Sequence, residues 1–407
     1  MKTVIIGGGP AGMMSAYFCA LNGEETILLE RNPKLGKKLY ITGKGRCNVT
    51  NDCDENEFLS NVVTNSPFMR SAIWSFSPSD MMEFLQNAGL AIKTERGNRV
   101  FPLSDKSSDV IKCFEKKLRD VGVKILLECL VTDIQVENGT VVGVKTSDRF
   151  FECDKIVVCT GGQSYSSTGS TGDGYAFAKK AGHTILPLRP ALCGIDLVGN
   201  NFESLAGLSL KNISITVFRN GKQIYSDFGE LLFTHTGVSG PVIISASSYL
   251  SKNGHGDYDL TIDLTPALDE KTLDARLLRD FLKFKNKSLK NAMIELLPKS
   301  LISEVISHSG VDAEVNVSEL SVGNRKKILN SLKNLNYKIK KLRPIEECIV
   351  TGGGVNVKEI NPKTMESKIV KGLYFAGEVL DVDALTGGFN LQCAFSMGYL
   401  AGNSGKN

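Results

Sequence analysis

Apolar and polar positions change their period several times along this chain. The segment "KTVIIGGGPAGMMSAYFCALNGEETILLER" opens on a short apolar run, Val4 to Ile6, and breaks at a glycine cluster. It then takes helical spacing through Ala16 and Ala20, stops at Asn22-Gly23, and resumes as a second apolar run, "TILLE", ending on Glu30. This predicts strand, tight turn, helix, strand. A similar strand-to-glycine step follows in "DKIVVCTGGQS", and again near the C-terminus in "KGLYFAGEVLDVDALTGGFNLQCAFSMGYLAG", read as strand, acid, glycine loop and a helix beginning near Asn390. From about Pro190 to Pro344 the α/β pattern is interrupted. "NISITVFRNGKQIYSDFGELLFTHTGVSG" alternates around Asn220-Gly221, a hairpin signal, and "YDLTIDLTP" reads as another strand. "LDARLLRDFLKF", "LKNAMIELLP" and "NRKKILNSLKNL" have helical spacing. The expected organisation is an α/β domain over 1–189 and 345–407, an inserted β-barrel over 190–266 and roughly 336–344, and a helical subdomain over 267–335.

The chemistry sits at the turns. Gly7, Gly9 and Gly12, with Pro10 and Ala11 between them, fit G-x-G-x-x-G. In that motif the first glycine allows the tight turn, the second lets backbone approach a pyrophosphate, and the third lets helix and strand pack closely. Glu30 lies 18 residues beyond Gly12, in place for ribose hydroxyls. A lone glycine motif is weak; here strand, helix, second strand and terminal acid fall into register, which points to a dinucleotide. The return from the far end of the chain favours FAD over NAD: Thr160-Gly161-Gly162 closes one strand, Glu378 is placed for ribitol hydroxyls, and the last helix aims N–H groups at whatever lies above it. No second G-x-G-x-x-G lies between a strand and a helix, so NADH or NADPH is expected only as a transient co-substrate.

"KKLYITGKGRCNVTN", Lys37 to Asn51, has no apolar period of 2 or 3.6 and is read as neither an ordinary strand nor an ordinary helix. Its expected role is to wrap the cofactor: Thr42, Gly43 and Gly45 supply N–H groups, Lys38 and Arg46 bring positive charge to phosphate, and Asn48 bonds flavin edge or backbone. Lys37 and Lys44 read as solvated surface. Cys47 and Cys53 have five residues between them, against four in the redox pair of fold-related disulfide reductases, so Cys47 reads as a small residue packed near the ring.

Composition narrows the setting. The chain has 407 residues and a formal net charge of +4, and its ten cysteines include no C-x-x-C pair. Scattered cysteines in apolar runs suggest a reducing, cytoplasmic compartment, and no run of 18 apolar residues suggests a membrane span. From Arg276 to Arg343 basic residues outnumber acids, which admits a nucleic-acid surface, but aromatic interleaving for base stacking is nearly absent. In "FTHTGVSGP", His235 is either a proton donor or acceptor over the flavin or a structural histidine holding the barrel in place.

The motifs "GGGPAG", "GKKLYITGKGRCNVTN", "GNRVFP", "GELLFTHTGVSGP", "TGGGV" and "GLYFAGEVLDVDALTGGFNLQ" resemble, over nearly the whole chain, a bacterial flavoprotein family that includes BaiN-type and YhiN-type proteins and aminoacetone oxidase. The resemblance implies a Rossmann-like FAD domain of glutathione-reductase type, with FAD extended across it and an inserted β-barrel covering the flavin. It implies cofactor contacts at Arg31, Cys47, Val131, Gly354, Gly377, Gly388, Leu391 and Gln392, besides the positions above. The expected activity is an NAD(P)H-linked reduction of a conjugated C=C in a small steroid-like enone. Oxidation of a small amino-ketone with O2, and an RNA-binding flavoprotein using the basic helices, stay open. The expected partner is a small-molecule substrate, with no membrane partner.

Overall fold

The computed structural model describes residues 1–199 and 202–404. Residues 200–201 and 405–407 of the expected domain spans lie outside the described residues. The chain forms two compact units, Met1–Leu192 with Pro344–Asn407, and Cys193–Arg343.

The first unit is built on five parallel strands in the order Leu373–Phe375, Lys155–Val158, Lys2–Ile6, Glu25–Leu29, Lys124–Leu126. Ile5 pairs with Val157 on one side and Leu28 on the other, and all three are fully buried. Burial on both faces is why these strands read as continuous apolar runs rather than alternating ones. The helix Pro10–Leu21 follows the first strand, and the last helix, Phe389–Asn403, lies against it, with Ser15 Oγ donating to Gly398 O at 3.1 Å. An antiparallel meander, Val131–Glu137, Thr140–Thr146 and Phe150–Glu152, leads into Lys155–Val158.

The Lys37–Asn51 stretch holds a helical turn, Lys37–Ile41, a tighter turn, Thr42–Gly45, and a two-residue strand, Thr50–Asn51. None of the three is an ordinary core helix or strand. The helix is five residues long and buries only Leu39, too little to show a period. Thr50–Asn51 joins the hairpin of Ile92–Glu95 and Arg99–Pro102.

The second unit has its own core. Six strands close into a barrel in the order Ile195–Leu197, Gly237–Ser239, Lys222–Thr234, Ser209–Arg219, Tyr258–Asp263, Leu335–Leu342. Asn220 and Gly221, both at positive φ, make the tight turn between the two longest strands. Helices Glu270–Lys283, Lys299–Ser309 and Val322–Lys333 bury Leu273, Leu277, Leu301, Val305, Ile328 and Leu332 in that core. Asp269 and Ser321 cap two of these helices, each accepting a backbone N–H.

Candidate functional site

The glycine turn divides its labour. Gly7 has φ +104°, and a Cβ there would stand 2.5 Å from Cys159 O. A Cβ at Gly12 would stand 1.9 Å from Gly7 O, whereas one at Gly9 would meet nothing within 4 Å. Gly7 and Gly12 are therefore fixed by chain packing, while Gly9 faces open space. Gly9 caps the helix Pro10–Leu21 without a side-chain hydrogen bond, and Pro10 has no N–H to leave unpaired. The next N–H groups, from buried Ala11 and Gly12 onward, start the helix with the positive end of its dipole at this opening.

Glu30 is buried beside it. Its Oε2 accepts from Gly8 N–H at 2.7 Å, and its Oε1 accepts from both Asn32 N–H and Asn32 Nδ2, each at 2.7 Å. A carboxylate has about four lone-pair sites, so capacity remains for a hydroxyl. Cys129 N–H donates to Glu30 O at 2.9 Å, which sets buried Val131, two residues on, at the same end of the sheet. Arg31 is paired with Asp173 at 2.9 Å and with Thr171 at 2.6 Å.

Further along, two residues expected as separate cofactor contacts meet each other: Lys38 Nζ donates to Glu378 Oε2 at 2.6 Å and to Ser164 Oγ at 2.6 Å. Glu378 Oε1 accepts from Thr351 N–H at 2.9 Å and from Ser164 Oγ at 3.0 Å. Thr351 Oγ1 in turn accepts from the N–H groups of Gln163 and Ser164. The Thr160–Gly162 turn, the Gly377–Glu378 step and Lys38 thus form one network. Gly377 lies against Ala11, at the start of the first helix.

In the next loop Gly43, Lys44, Gly45 and Cys47 all have positive φ, a run that turns successive N–H groups to one side. Arg46 is a correction. It donates to Glu95 and Asp105 and lies 4.2 Å over the Phe101 ring, so its charge is committed to the hairpin rather than free for phosphate. Those carboxylates hold its guanidinium proton more tightly still, and Arg46 and Lys93 hold Glu95 and Asp105 below the usual carboxylate range. Cys47 is fully buried; burial pushes its thiol up to about 12, against a smaller opposing effect of Thr42. Cys53 is also pushed up to about 12 by burial and its acidic neighbours, and all ten cysteines are free.

Four other expectations change. Gly354 is needed for packing: a Cβ there would stand 2.7 Å from Val379 O, so its missing side chain makes room for the chain's own backbone. The Asn390 side chain closes the preceding loop, accepting from Ala384 N–H at 3.0 Å and donating to Ala384 O at 2.8 Å. Gln392 is fully buried and is bonded to Thr50, Phe76 O and Ser396. His235 lies in the two-residue turn between Lys222–Thr234 and Gly237–Ser239; it is exposed and has no hydrogen-bond or ion-pair partner among the described residues, so no structural tie is made by its ring.

One cluster has no counterpart in the sequence reading. Arg189 donates to Asp381 Oδ1 at 3.1 Å, Asp383 Oδ1 at 3.1 Å and Thr64 Oγ1 at 2.8 Å. Asp381 and Asp383, the two acids in the otherwise apolar "VLDVDAL", were its visible signal.

Residues 1–404 match the HI0933-like protein Rossmann domain. The chain belongs to that family. Among its relatives, a 3-dehydro-bile acid delta(4,6)-reductase of Clostridium scindens is 28% identical over 404 residues, covering 98% of each chain. A ribosomal RNA dihydrouridine synthase of Escherichia coli is 30% identical over 409 residues, covering 97% of this chain and 95% of its own. The crystal structure of a 3-ketosteroid-delta4-(5alpha)-dehydrogenase from Rhodococcus jostii RHA1 shares the fold, at TM-score 0.53 and 13% identity, covering 99% of this chain and 96% of its own. This HI0933-like chain is an FAD-dependent oxidoreductase with a Rossmann-type domain and a closed barrel. FAD fits the residues present. Asn48 Oδ1 and Thr160 Oγ1 are buried with no hydrogen-bond partner among the described residues, and Gly9 opens where a pyrophosphate would enter. Gly7–Gly12 and Glu30 would hold the adenylate half, and the Glu378 network the ribitol. Among the described residues no group of acids, histidines and cysteines could hold a metal ion, and no helix is long and apolar enough to cross a membrane.

Proposed function

We propose that this oxidoreductase reduces a carbon–carbon double bond conjugated to a carbonyl, with NADH or NADPH as reductant and a small steroid-like enone as substrate. The observation that carries this reading is the pair of full-length relatives. A bile-acid delta(4,6)-reductase and a dihydrouridine synthase differ greatly in substrate size, but their names describe one bond change, saturation of a C=C activated by a nearby C=O. Bound FAD supplies the hydride chemistry, which side chains alone lack. The chain's own contribution is placement. Lys38, Ser164 and Thr351 fix the Glu378 carboxylate, and the start of the helix Phe389–Asn403 offers a positive potential to an electron-rich ring.

A uracil carried in RNA is the second reading, favoured by one feature. Lys285, Lys287, Lys326 and Lys327 are exposed on the helical part of the second unit without an ion-pair partner among the described residues. Anaerobic stopped-flow mixing tests both readings. The oxidised enzyme is mixed with NADH, NADPH or aminoacetone; the reduced enzyme is mixed with a 4,6-dien-3-one steroid, uridine or a ribosomal RNA fragment. Reoxidation by the dienone supports the first reading, and reoxidation by RNA alone the second. Rapid reduction by aminoacetone, with no C=C acceptor turning over, removes both.

A further inference from the structure

His183 lies between the helix Asp173–Lys180 and the strand Ile185–Ala191, with its side chain fully buried. Its Nδ1 stands 3.2 Å from Glu359 Oε2, and its Nε2 stands 2.8 Å from Ser367 Oγ. Thr184 N–H donates to the same Glu359 Oε2 at 2.9 Å and holds that carboxylate in place. Ser367 Oγ accepts from two main-chain groups, Ile369 N–H at 3.0 Å and Val370 N–H at 2.9 Å. Serine, histidine and acid follow the order of a hydrolytic triad, but this hydroxyl is buried and both its lone pairs are taken, so it is no nucleophile.

Bond counting fixes the state of the ring. A carboxylate only accepts, so Nδ1 carries the hydrogen that meets Glu359. With both lone pairs of Ser367 Oγ in use, its one hydrogen goes to Nε2, which accepts it bare. The neutral Nδ1–H tautomer therefore satisfies every group. A proton taken from solvent onto Nε2 does not fit. Oγ would have to accept three hydrogens on two lone pairs and leave its own without an acceptor. Burial acts in the same direction, lowering the pKa of the ring against the pull of Glu359. Among the described residues no other charge acts on the ring. Lys180 on the helix before it pairs with Asp133, and Arg189 on the strand after it pairs with Asp381 and Asp383. Glu366 Oε1 accepts from Gly372 N–H at 2.9 Å, and Lys368 donates to Lys358 O at 2.8 Å.

This serine is coupled to the candidate site. Ser367 N–H donates to Leu373 O at 2.7 Å and Glu366 bridges to Tyr374, which binds the turn Ser367–Val370 to the strand Leu373–Phe375. The imidazole packs edge-on against the Phe375 ring, with centroids 5.0 Å apart. Glu378, fixed by Lys38, Ser164 and Thr351, follows that strand directly.

We propose that His183, Ser367 and Glu359 form a proton-operated latch: the neutral ring pins the turn Ser367–Val370 to the strand leading into Glu378, and protonation releases that turn and weakens the hold on FAD. This rests on the reading that Glu378 touches the cofactor. The three act through Glu378, as positioning residues.

The test follows two readouts on the full chain between pH 7.5 and pH 5.5. The Kd of FAD, read from the rise in flavin fluorescence on release, should climb with falling pH toward about tenfold per pH unit, the limit for one linked proton. Cleavage after Glu366 by a glutamate-specific protease, normalised at each pH to an unfolded reference peptide, should appear only on the acid side. His183→Gln, which cannot take up the proton, should flatten both curves, and Ser367→Ala should make the cleavage independent of pH. A parent whose affinity and cleavage ignore pH, or whose changes persist in both variants, overturns the proposal. If the parent retains no FAD at pH 7.5, the cofactor reading fails, and the cleavage alone decides on the latch.

Discussion

Lys38 Nζ and Glu378 Oε2 are joined at 2.6 Å across 340 residues of sequence, each side chain about one-fifth exposed. The pair ties the segment after the second strand to the turn after the last. Lys38→Met should leave Glu378 with an uncompensated charge and cost about 1–2 kcal/mol, between the surface and buried limits for an ion pair. Adding Glu378→Gln should recover part of that loss. A urea-unfolding double-mutant cycle measures the coupling, and strict additivity would show that the pair is idle.

Gly9 and Gly12 should part company. Gly9→Val places its Cβ in open space, so the protein should fold and melt normally but retain no flavin after gel filtration. Gly12→Val drives a side chain into Gly7 O and should cost at least the roughly 1–3 kcal/mol of core overpacking. Circular dichroism melts and the flavin absorbance per mole of protein separate the two effects. A flavin-loaded Gly9→Val would place the pyrophosphate elsewhere.

The thiols near the cofactor loop should be inert. With Cys47 and Cys53 both raised to about 12, their thiolates are scarce at neutral pH, and alkylation of the native protein should rise only as pH climbs past the ordinary thiol range. Cys47→Ser should keep most flavin reduction. A hundredfold loss, about 2.7 kcal/mol in the barrier, would reveal a redox role.

His183 should give the fold an acid-side weakness. It is buried, with Nδ1 3.2 Å from Glu359 Oε2 and Nε2 2.8 Å from Ser367 Oγ, and desolvation lowers its pKa against the opposing pull of Glu359. The unfolded chain takes up a proton at about pH 6.5, before the folded one does. Stability should therefore fall as pH drops below that value, until the folded ring also protonates. Urea midpoints at pH 7.5 and 5.5 should show the fall, and His183→Gln should flatten it.

His235→Ala should leave stability within about 0.5 kcal/mol, as for exposed side chains without partners. Its kinetics are the informative readout. A loss of about 10²–10⁴-fold with one limb of the pH–rate profile flattened would identify a proton-transfer group; an unchanged profile would assign it no part in the chemistry.

Much of the first unit was legible because its signals are local. The turn at Gly7–Gly12, the acid at Glu30, the hairpin at Asn220-Gly221 and the proline opening the helix Pro241–Asn253 are each decided by neighbours in sequence. Partnerships were not legible. Arg46 looked like a phosphate ligand because its loop is glycine-rich, but Glu95 reaches it from a hairpin 49 residues away and Asp105 from just beyond that hairpin, 59 residues away. Gly354 looked like a site glycine because nothing in "TGGGV" reveals that Val379 O crosses over it. Arg189 stayed hidden for the same reason, since its two acids lie near the other end of the chain.

The strands Ile185–Ala191 and Val350–Val355 run antiparallel, with Ala191 opposite Val350 and Ile349 N–H donating to Leu192 O at 3.1 Å. The chain leaves for the barrel and comes back at adjacent positions, so all of Cys193–Arg343 is, in connectivity, the loop of one long hairpin. Loop-closure entropy grows only logarithmically with length, so exchanging that loop for a longer, shorter or differently shaped one asks little of the strands that close it. The insert is therefore a unit that can be exchanged whole without renegotiating a single register in the parallel sheet.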